Sequence, residues 1–296
     1  MGNTLSFGDA EIFQVPETSW KMPVAMFGAS DAQLERHRHW LQPTYLDAHG
    51  EWDNIVQSWV LVVDGRVIVV DPCTGNGRHF PDYPPAHMLD TPYIERFAAT
   101  GIRPEQVDYV FCTHLHMDHC GWNTQLVDGR YVPTFPNAKY VMVQREFERW
   151  DPRRAGHVAV SANAGTFENS VLPVLEAGLA QIVPDTFRIS ASLDVAPAWG
   201  HTAGHSLLHL DSAAHEAYFV GDAFHHPLEL LYPELDAGTC EDFSATLATR
   251  RRLIETCLAS DALLVPAHFP CPFGVTLQRD AQGELSFTPC AADQSG

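Results

Sequence analysis

The stretch Thr113–Trp122, THLHMDHCGW, places three histidines and an aspartate within six positions directly behind the apolar run VDYVF. Such a run reads as a buried strand, so the polar cluster emerges where a strand leaves the core. His114 and His116 are two apart and point the same way on an extended backbone. If the chain then turns, Asp118 and His119 face the same cavity from the other side. Two imidazoles from one arm, with a carboxylate and an imidazole from the next, can serve two adjacent metal centres. Donors of these types without thiolates suit zinc, and manganese, cobalt and iron are compatible. The competing reading is a histidine-rich surface loop. Against it stand ligand-type residues at three later strand ends: GHTAGHS with His201 and His205, FVGD with Asp222, and VPAHF with His268.

The chain of 296 residues is 45% hydrophobic and 19% charged, which suits one globular domain over residues 1–296. Its net charge of −19 repels phosphate backbones and anionic lipid, so neither nucleic acid nor membrane is expected as a partner. A neutral or weakly charged small molecule fits better. The N-terminal segment lacks a basic stretch followed by an apolar one, and no run approaches a membrane span, so a cytoplasmic location is expected. Met1-Gly2 only loosely begins a myristoylation signal. Seven cysteines, none spaced as CxxC, argue against a disulfide framework and a zinc ribbon.

Along the chain, strand and helix signals alternate. Glu11 to Val15 reads as a short strand within an N-terminal extension of about residues 1–50. SDAQLERHRHWL reads as a helix capped by Ser30, with Leu34, His37 and Leu41 on one face. IVQSWVLVVDGRVIVVDP is a hairpin turning at Asp64-Gly65 and ending at Asp71. A helix over Pro92–Ala99 leads to the strand carrying the histidines. AKYVMVQ is another strand, and about residues 145–180 form a mostly helical insertion. Successive strands with His and Asp in their turns follow. Ser244–Leu258 reads as an amphipathic helix with Leu247, Ile254 and Leu258 on one face, and ALLVPAHF as a last buried strand. The pattern predicts a layered α/β domain.

Together, HLHMDH, GHTAGHS, FVGD and VPAHF resemble the metallo-β-lactamase fold superfamily over roughly Ile55 to Phe269. The resemblance implies a four-layer αββα sandwich with a dinuclear zinc site at the edge shared by two sheets. It assigns His114, His116 and His201 to one metal and Asp118, His119 and His268 to the other, with Asp222 bridging. Spacing alone does not choose between His201 and His205; the family uses the histidine of Gly-His-Thr, which leaves His205 a supporting role. Asp71 matches an acidic position that supports the metal loop in this fold. The implied chemistry is hydrolysis by a metal-bridging hydroxide, with Asp118 or a metal-bound water protonating the leaving group.

The fold hosts many hydrolases. Within it, HCGWNTQLVDGRYVPTFPNAKYVMVQREFERW and AHFPCPFG look similar to the lactonase and methyl parathion hydrolase-like group, implying a lactone, ester or phosphotriester substrate. Acyl-homoserine lactonases carry a tyrosine three residues after the bridging aspartate. Here His225 holds that place and becomes the candidate catalytic donor, with His226 ranked behind it. Trp122, Phe224 and Phe269 lie close in sequence to proposed ligands and are the expected pocket walls; Phe27 and Trp150 rank behind them. The loop CTGNGR, which lacks a phosphate-loop ending, is expected at the rim of the site. Arg145, Arg149, Arg153 and Arg154 are the nearest basic group and are read as an exposed helical turn, which disfavours a glyoxalase II-like thioesterase. That thioesterase remains the alternative, alongside a non-catalytic metal-binding protein of the same fold. A homodimer is expected from similar enzymes.

Overall fold

The apolar runs WVLVV and VIVV need cover on both faces of their strands, and the fold supplies it with two sheets. The computed structural model describes residues 3–270 and 274–290; Met1, Gly2 and Cys271 lie outside the described residues. In chain order, β1 (Asn3–Phe7), β2 (Ala10–Pro23), β3 (Glu51–Val63), β4 (Arg66–Val70) and β5 (Tyr109–Phe111) enter one sheet. A separate hairpin follows, β6 (Thr124–Val127) and β7 (Arg130–Pro133), and then β8 (Lys139–Val143) and β9 (Ala180–Val183) complete the first sheet. The second sheet contains β10 (Phe187–Arg188), β11 (Leu193–Pro197), β12 (Ser206–Ser212), β13 (His215–Gly221), β14 (Leu263–Pro266), β15 (Gly274–Arg279) and β16 (Leu285–Cys290).

Alternation along the strands divides the core into layers. Leu61, Ile68, Val70, Phe111 and Val141 point into the space between the sheets, where they meet Leu208, Leu210, Phe219 and Val265. Their neighbours Val60, Val69, Val110 and Tyr140 point the other way, onto Tyr93, Phe97 and Val171. On the far side, Leu207, Val220 and Leu264 pack against Leu253, Ile254 and Cys257 of the helix Phe243–Ser260. The order of layers is therefore helices, sheet, sheet, helix, the αββα sandwich that the motifs imply.

Both Asp-Gly turns form as the sequence predicts. Asp64 and Gly65 take φ of 53° and 67°, and Asp128 and Gly129 take 48° and 75°. Two consecutive positive φ values make the tight hairpin turn that matches strand twist, and Asp-Gly tolerates them. Ser30 caps the helix Asp31–Leu41 through a capping box with Gln33. Three expectations need correction. The strand placed at Glu11–Val15 runs the whole length of β2 and pairs with β3 from Glu11↔Val62 to Pro23↔Glu51, so this part of the N-terminal segment is built into the sheet. In the helix Phe243–Ser260 the buried face centres on Thr246, Arg250, Leu253 and Cys257, with Leu247 and Leu258 at its margins. The pattern misled because Arg250 reads as a solvent residue yet is only 1% exposed. The third concerns the loop CTGNGR. It lies behind the histidine turn rather than at the rim, for Cys73 and Pro72 accept the amides of Gly121 and Trp122 at 2.6 and 2.7 Å.

Strands β4, β5, β8 and β9 are mutually parallel, as are β13 and β14, so their carboxyl ends gather along one edge. Asp71, Thr113–His114, Glu146, Asp222 and His268 all follow such ends, the usual place for sites in sheets of this kind, and His201 joins them from the end of β11, which pairs antiparallel to β12. The histidine turn is seated there by close backbone approach: a methyl group on Gly121 would collide with the backbone of Thr74. Gly121→Ala is expected to lower stability by more than about 2 kcal/mol. A denaturant midpoint equal to the parent's would show that the two loops separate without penalty.

Candidate metal centre

Two groups of donors converge at this edge. His114, His116, His201 and Asp222 form one, and Asp118, His119 and His268 the other; within each, the potential ligand atoms lie within 4.8 Å of one another. Asp222 stands between the two. Its Oδ2 lies 3.3 Å from His201 Nε2 and 3.8 Å from His114 Nε2, whereas its Oδ1 lies 3.2 Å from His119 Nε2 and 3.1 Å from His268 Nε2. Asp118 faces His119 and His268, each at 3.7 Å.

Three of the rings, His114, His119 and His268, are aimed by a bond on the remote nitrogen. Asp71, turned back by a positive φ of 49°, accepts from the backbone and hydroxyl of Thr113 at 2.7 and 2.8 Å and from His119 Nδ1 at 3.0 Å. Thr113 Oγ1 meets His114 Nδ1 at 3.0 Å, and His268 Nδ1 donates to the carbonyl of Ile55 at 2.8 Å. Anchoring one nitrogen fixes the ring plane and presents the other, the arrangement that metal-binding histidines require. His205 is used differently. Its Nδ1 donates to the Ala198 carbonyl at 2.9 Å and its Nε2 accepts the Asp222 amide at 3.1 Å, so both nitrogens are spent on backbone and neither is free to ligate.

The donor set fits a pair of cations. Burial pushes His114 and His201 well below the ordinary imidazole range and His116 to about 4, leaving neutral rings with lone pairs to offer. Ring nitrogens of His114 and His201 each lie 3.0 Å from Nδ1 of His116, a crowding of donors that a divalent ion resolves. On the other side burial opposes charge on His119, but Asp222, Asp118 and Asp71 together pull it well above the usual value, marking a place where negative potential is concentrated. His119 Nε2 and Asp222 Oδ1 are both buried without a hydrogen-bond partner.

The centre forms the floor of a cavity of about 510 Å³. Among the expected walls, Phe27 and Trp150 line it, joined by Met22, Met26, Trp52 and Tyr83. Trp122, Phe224 and Phe269 do not. Trp122 stacks on Tyr93 with ring centroids 5.0 Å apart and donates its indole N–H to Glu17, whereas Phe224 and Phe269 are buried against the helix Phe243–Ser260. Adjacency to a ligand in sequence sent these side chains to the core side of the backbone. His225 lines the cavity, with Nε2 3.3 Å from Asp222 Oδ2. His226 is tied to Tyr45 O and the Leu228 amide and is held at about 4 by burial. Arg145, Arg149, Arg153 and Arg154 are paired with Asp185, Glu241, Asp151 and Glu148.

Residues 52–268 match the description "Metallo-beta-lactamase superfamily". The chain belongs to that superfamily. Among solved structures it superposes on the hydrolase AbOPH of the beta lactamase superfamily with a TM-score of 0.80, at 20% identity, covering 99% of this chain and 98% of the other. It superposes on AidC, described as a dizinc quorum-quenching lactonase, at 0.77 and 17%, covering 98% and 97%. At these identities the superpositions show the shared fold alone. A curated relative, the N-acyl homoserine lactonase AttM of Azorhizobium caulinodans, is 29% identical over 106 residues. That match spans 36% of this chain and 35% of the relative, so about a third of its length. The superfamily is one of metal-dependent hydrolases, and the histidine–aspartate cluster is where this member would hold metal.

Two acidic residues essential to the geometry escape the sequence reading. Glu146, 2% exposed, accepts from the Leu115 amide, Trp150 Nε1, Thr202 Oγ1 and the Gly204 amide at 2.6–3.1 Å. It therefore clamps the loop of His114 and His116 to that of His201. Glu17 likewise accepts from the Thr74 and Gly75 amides and from Trp122. The only sequence signal was a glutamate one or two places from apolar residues on a strand or short helix, which is common on surfaces. Glu146→Ala strands four buried donors and is expected to cost more than about 3 kcal/mol and to lower metal content, checked by thermal unfolding and elemental analysis. His201→Ala should lose metal while His205→Ala keeps its ligands and loses mainly stability. Metal loss confined to His205→Ala would reverse that assignment.

Proposed function

We propose that the chain is a dinuclear-zinc hydrolase of neutral lactones and aryl esters, with phosphotriesters as secondary substrates. The observation that carries this reading is the union of seven converging donors with an apolar cavity of about 510 Å³. Among the described residues lining that cavity there is no lysine or arginine, while Asp118, Asp222 and Glu241 are present. A substrate with carboxylates, such as a glutathione thioester, would find no lysine or arginine on these walls to pair with. The names of AttM and AidC as lactonases support the lactone assignment.

His114, His116 and His201 would hold one ion, Asp118, His119 and His268 the other, and Asp222 would span them. Two divalent ions there would supply hydroxide at neutral pH and draw charge from an ester carbonyl. The chain's own side chains do the rest. Met22, Met26, Phe27 and Trp52 take the apolar body of the substrate and exclude water. His225 sits against Asp222 at the cavity floor, within reach of a bound ester's oxygen. Asp118, with 16% of its side chain exposed, would pass a proton to the departing oxygen. Zinc is favoured over manganese because imidazoles dominate the donor set, and cobalt or iron would suit the same donors. We also propose a homodimer in solution and a cytoplasmic location; no helix among the described residues is long and apolar enough to cross a membrane.

Purified protein should contain about two divalent ions per chain, lose hydrolysis on chelation and regain it with zinc, cobalt or manganese. Specificity constants for an N-acyl homoserine lactone, an aryl ester, a phosphotriester and a glutathione thioester should rank the first two highest. Dominance of the thioester would establish the thioesterase instead, and bound metal without turnover of any of the four would establish a non-catalytic metal-binding protein.

A further inference from the structure

Behind His225 lies a buried ion pair that the metal centre does not account for. Glu229 is 0% exposed and Arg250 1%, and Arg250 Nη2 donates to Glu229 Oε1. The remaining guanidinium donors bind backbone: Nε meets the carbonyl of Ala223 at 2.7 Å, and Nη1 meets those of Pro233 and Leu235 at 3.1 and 2.6 Å. Arg250 thus joins the segment leaving Asp222 to the loop at 233–235. The other carboxylate oxygen, Glu229 Oε2, accepts the backbone amides of His225 and His226 at 2.6 and 3.0 Å and lies 3.7 Å from His225 Nδ1. That nitrogen is buried and has no hydrogen-bond partner.

A pair this deep is expensive to desolvate and is weak evidence for stability on its own. Its layout is better explained by what it orients. His225 is flanked by two carboxylates, Asp222 at Nε2 and Glu229 at Nδ1, and its ring lies parallel to His268 at a centroid distance of 5.9 Å. His226, one residue on, has both nitrogens bound to backbone and faces Tyr45, so only His225 is turned to the cavity.

We propose that Glu229, anchored by Arg250, is the positioning residue for His225. At 3.7 Å its carboxylate favours a proton on Nδ1 without hydrogen-bonding it, and by accepting the His225 and His226 amides it fixes the turn from which Nε2 faces Asp222 and the substrate's oxygen. The relay Arg250–Glu229–His225 follows the logic by which an acid orients a histidine in other hydrolases, with a side-chain cation holding the acid in place. It rests on the hydrolase reading for its kinetic consequence, but not for its geometry.

The test combines spectroscopy with a double-mutant cycle. In zinc-loaded protein carrying ¹⁵N-labelled histidine, the His225 signal, assigned by its absence in His225→Phe, should show a protonated Nδ1. Glu229→Gln keeps an acceptor for the two backbone amides and removes the charge. It should lower kcat for the preferred lactone or ester about 10- to 100-fold, with KM changed by less than about threefold and metal content unchanged. Arg250→Lys, which keeps charge but loses the fork, should show a smaller kcat defect. In a His225→Phe background, Glu229→Gln should cost nothing further. An unprotonated Nδ1, or an equal kcat loss in the His225→Phe background, would overturn the proposal. If the wild type hydrolyses none of the four substrate classes, the hydrolase reading falls and the ¹⁵N result alone decides the positioning role; the same measurement decides it if Glu229→Gln or Arg250→Lys fails to fold.

Discussion

One carboxylate, that of Asp222, is buried within 4 Å of nitrogens from five histidines: His114, His119, His201, His225 and His268. Taking a carboxylate out of water is costly unless its charge is met nearby. Burial works to raise its pKa, yet the surrounding imidazoles hold it well below the ordinary range, so it stays an anion. The two sheets must therefore meet in a way that brings five rings from four separate segments to one point. His114 and His119 follow the parallel strand β5, His225 and His268 follow the parallel pair β13 and β14, and His201 arrives from the end of the antiparallel β11.

Around this anion lies a shell of further buried acids, and each does mechanical work. Asp71 links β4 to Thr113 and His119, Glu146 links the HLH loop to the GHT loop, Glu17 links β2 to the segment 74–75, and Glu229 links the segment after Asp222 to the helix Phe243–Ser260. Burial raises the pKa of Glu17 and of Glu146. Glu229 goes the other way, to about 2, because Arg250 and His225 outweigh the burial. Acceptors with several lone pairs suit this task, since one carboxylate can gather backbone amides from two loops that share no strand ladder. Loops that would otherwise stray are fastened by side chains that sequence reading files under surface charge.

The legible parts of the sequence were those with local causes. Asp64-Gly65 and Asp128-Gly129 announce their turns because the dihedrals they permit are a property of two residues, and HLHMDH announces donors because strand alternation puts His114 and His116 on one side. The cavity walls had no such signature. Met22, Phe27 and Trp52 come from the N-terminal strands and their connection, and Trp150 from the helix after β8, each far in sequence from the metal motifs. Trp122, Phe224 and Phe269 were near in sequence but point into packed layers. Arg250 escaped for the same reason as Glu146: a buried charge is visible only with its partner, and the partner is set by tertiary contact.

The contrast between floor and walls bears on how selective the site can be. His114, His119 and His268 have their remote nitrogens bonded, so the donors of the floor are held more rigidly than the walls. The walls include Met22, Met26 and Met117, whose unbranched thioether chains adapt to irregular shapes at little cost. Such a surface discriminates weakly among apolar groups of different length, because one methylene more or less in an apolar pocket shifts binding by only about 1–3 kcal/mol. Charge is another matter, since no lysine or arginine lines the described cavity to pair with an anionic tail. On the proposed hydrolase reading, selectivity would fall on the bond being broken, and only loosely on the length of the apolar part that carries it.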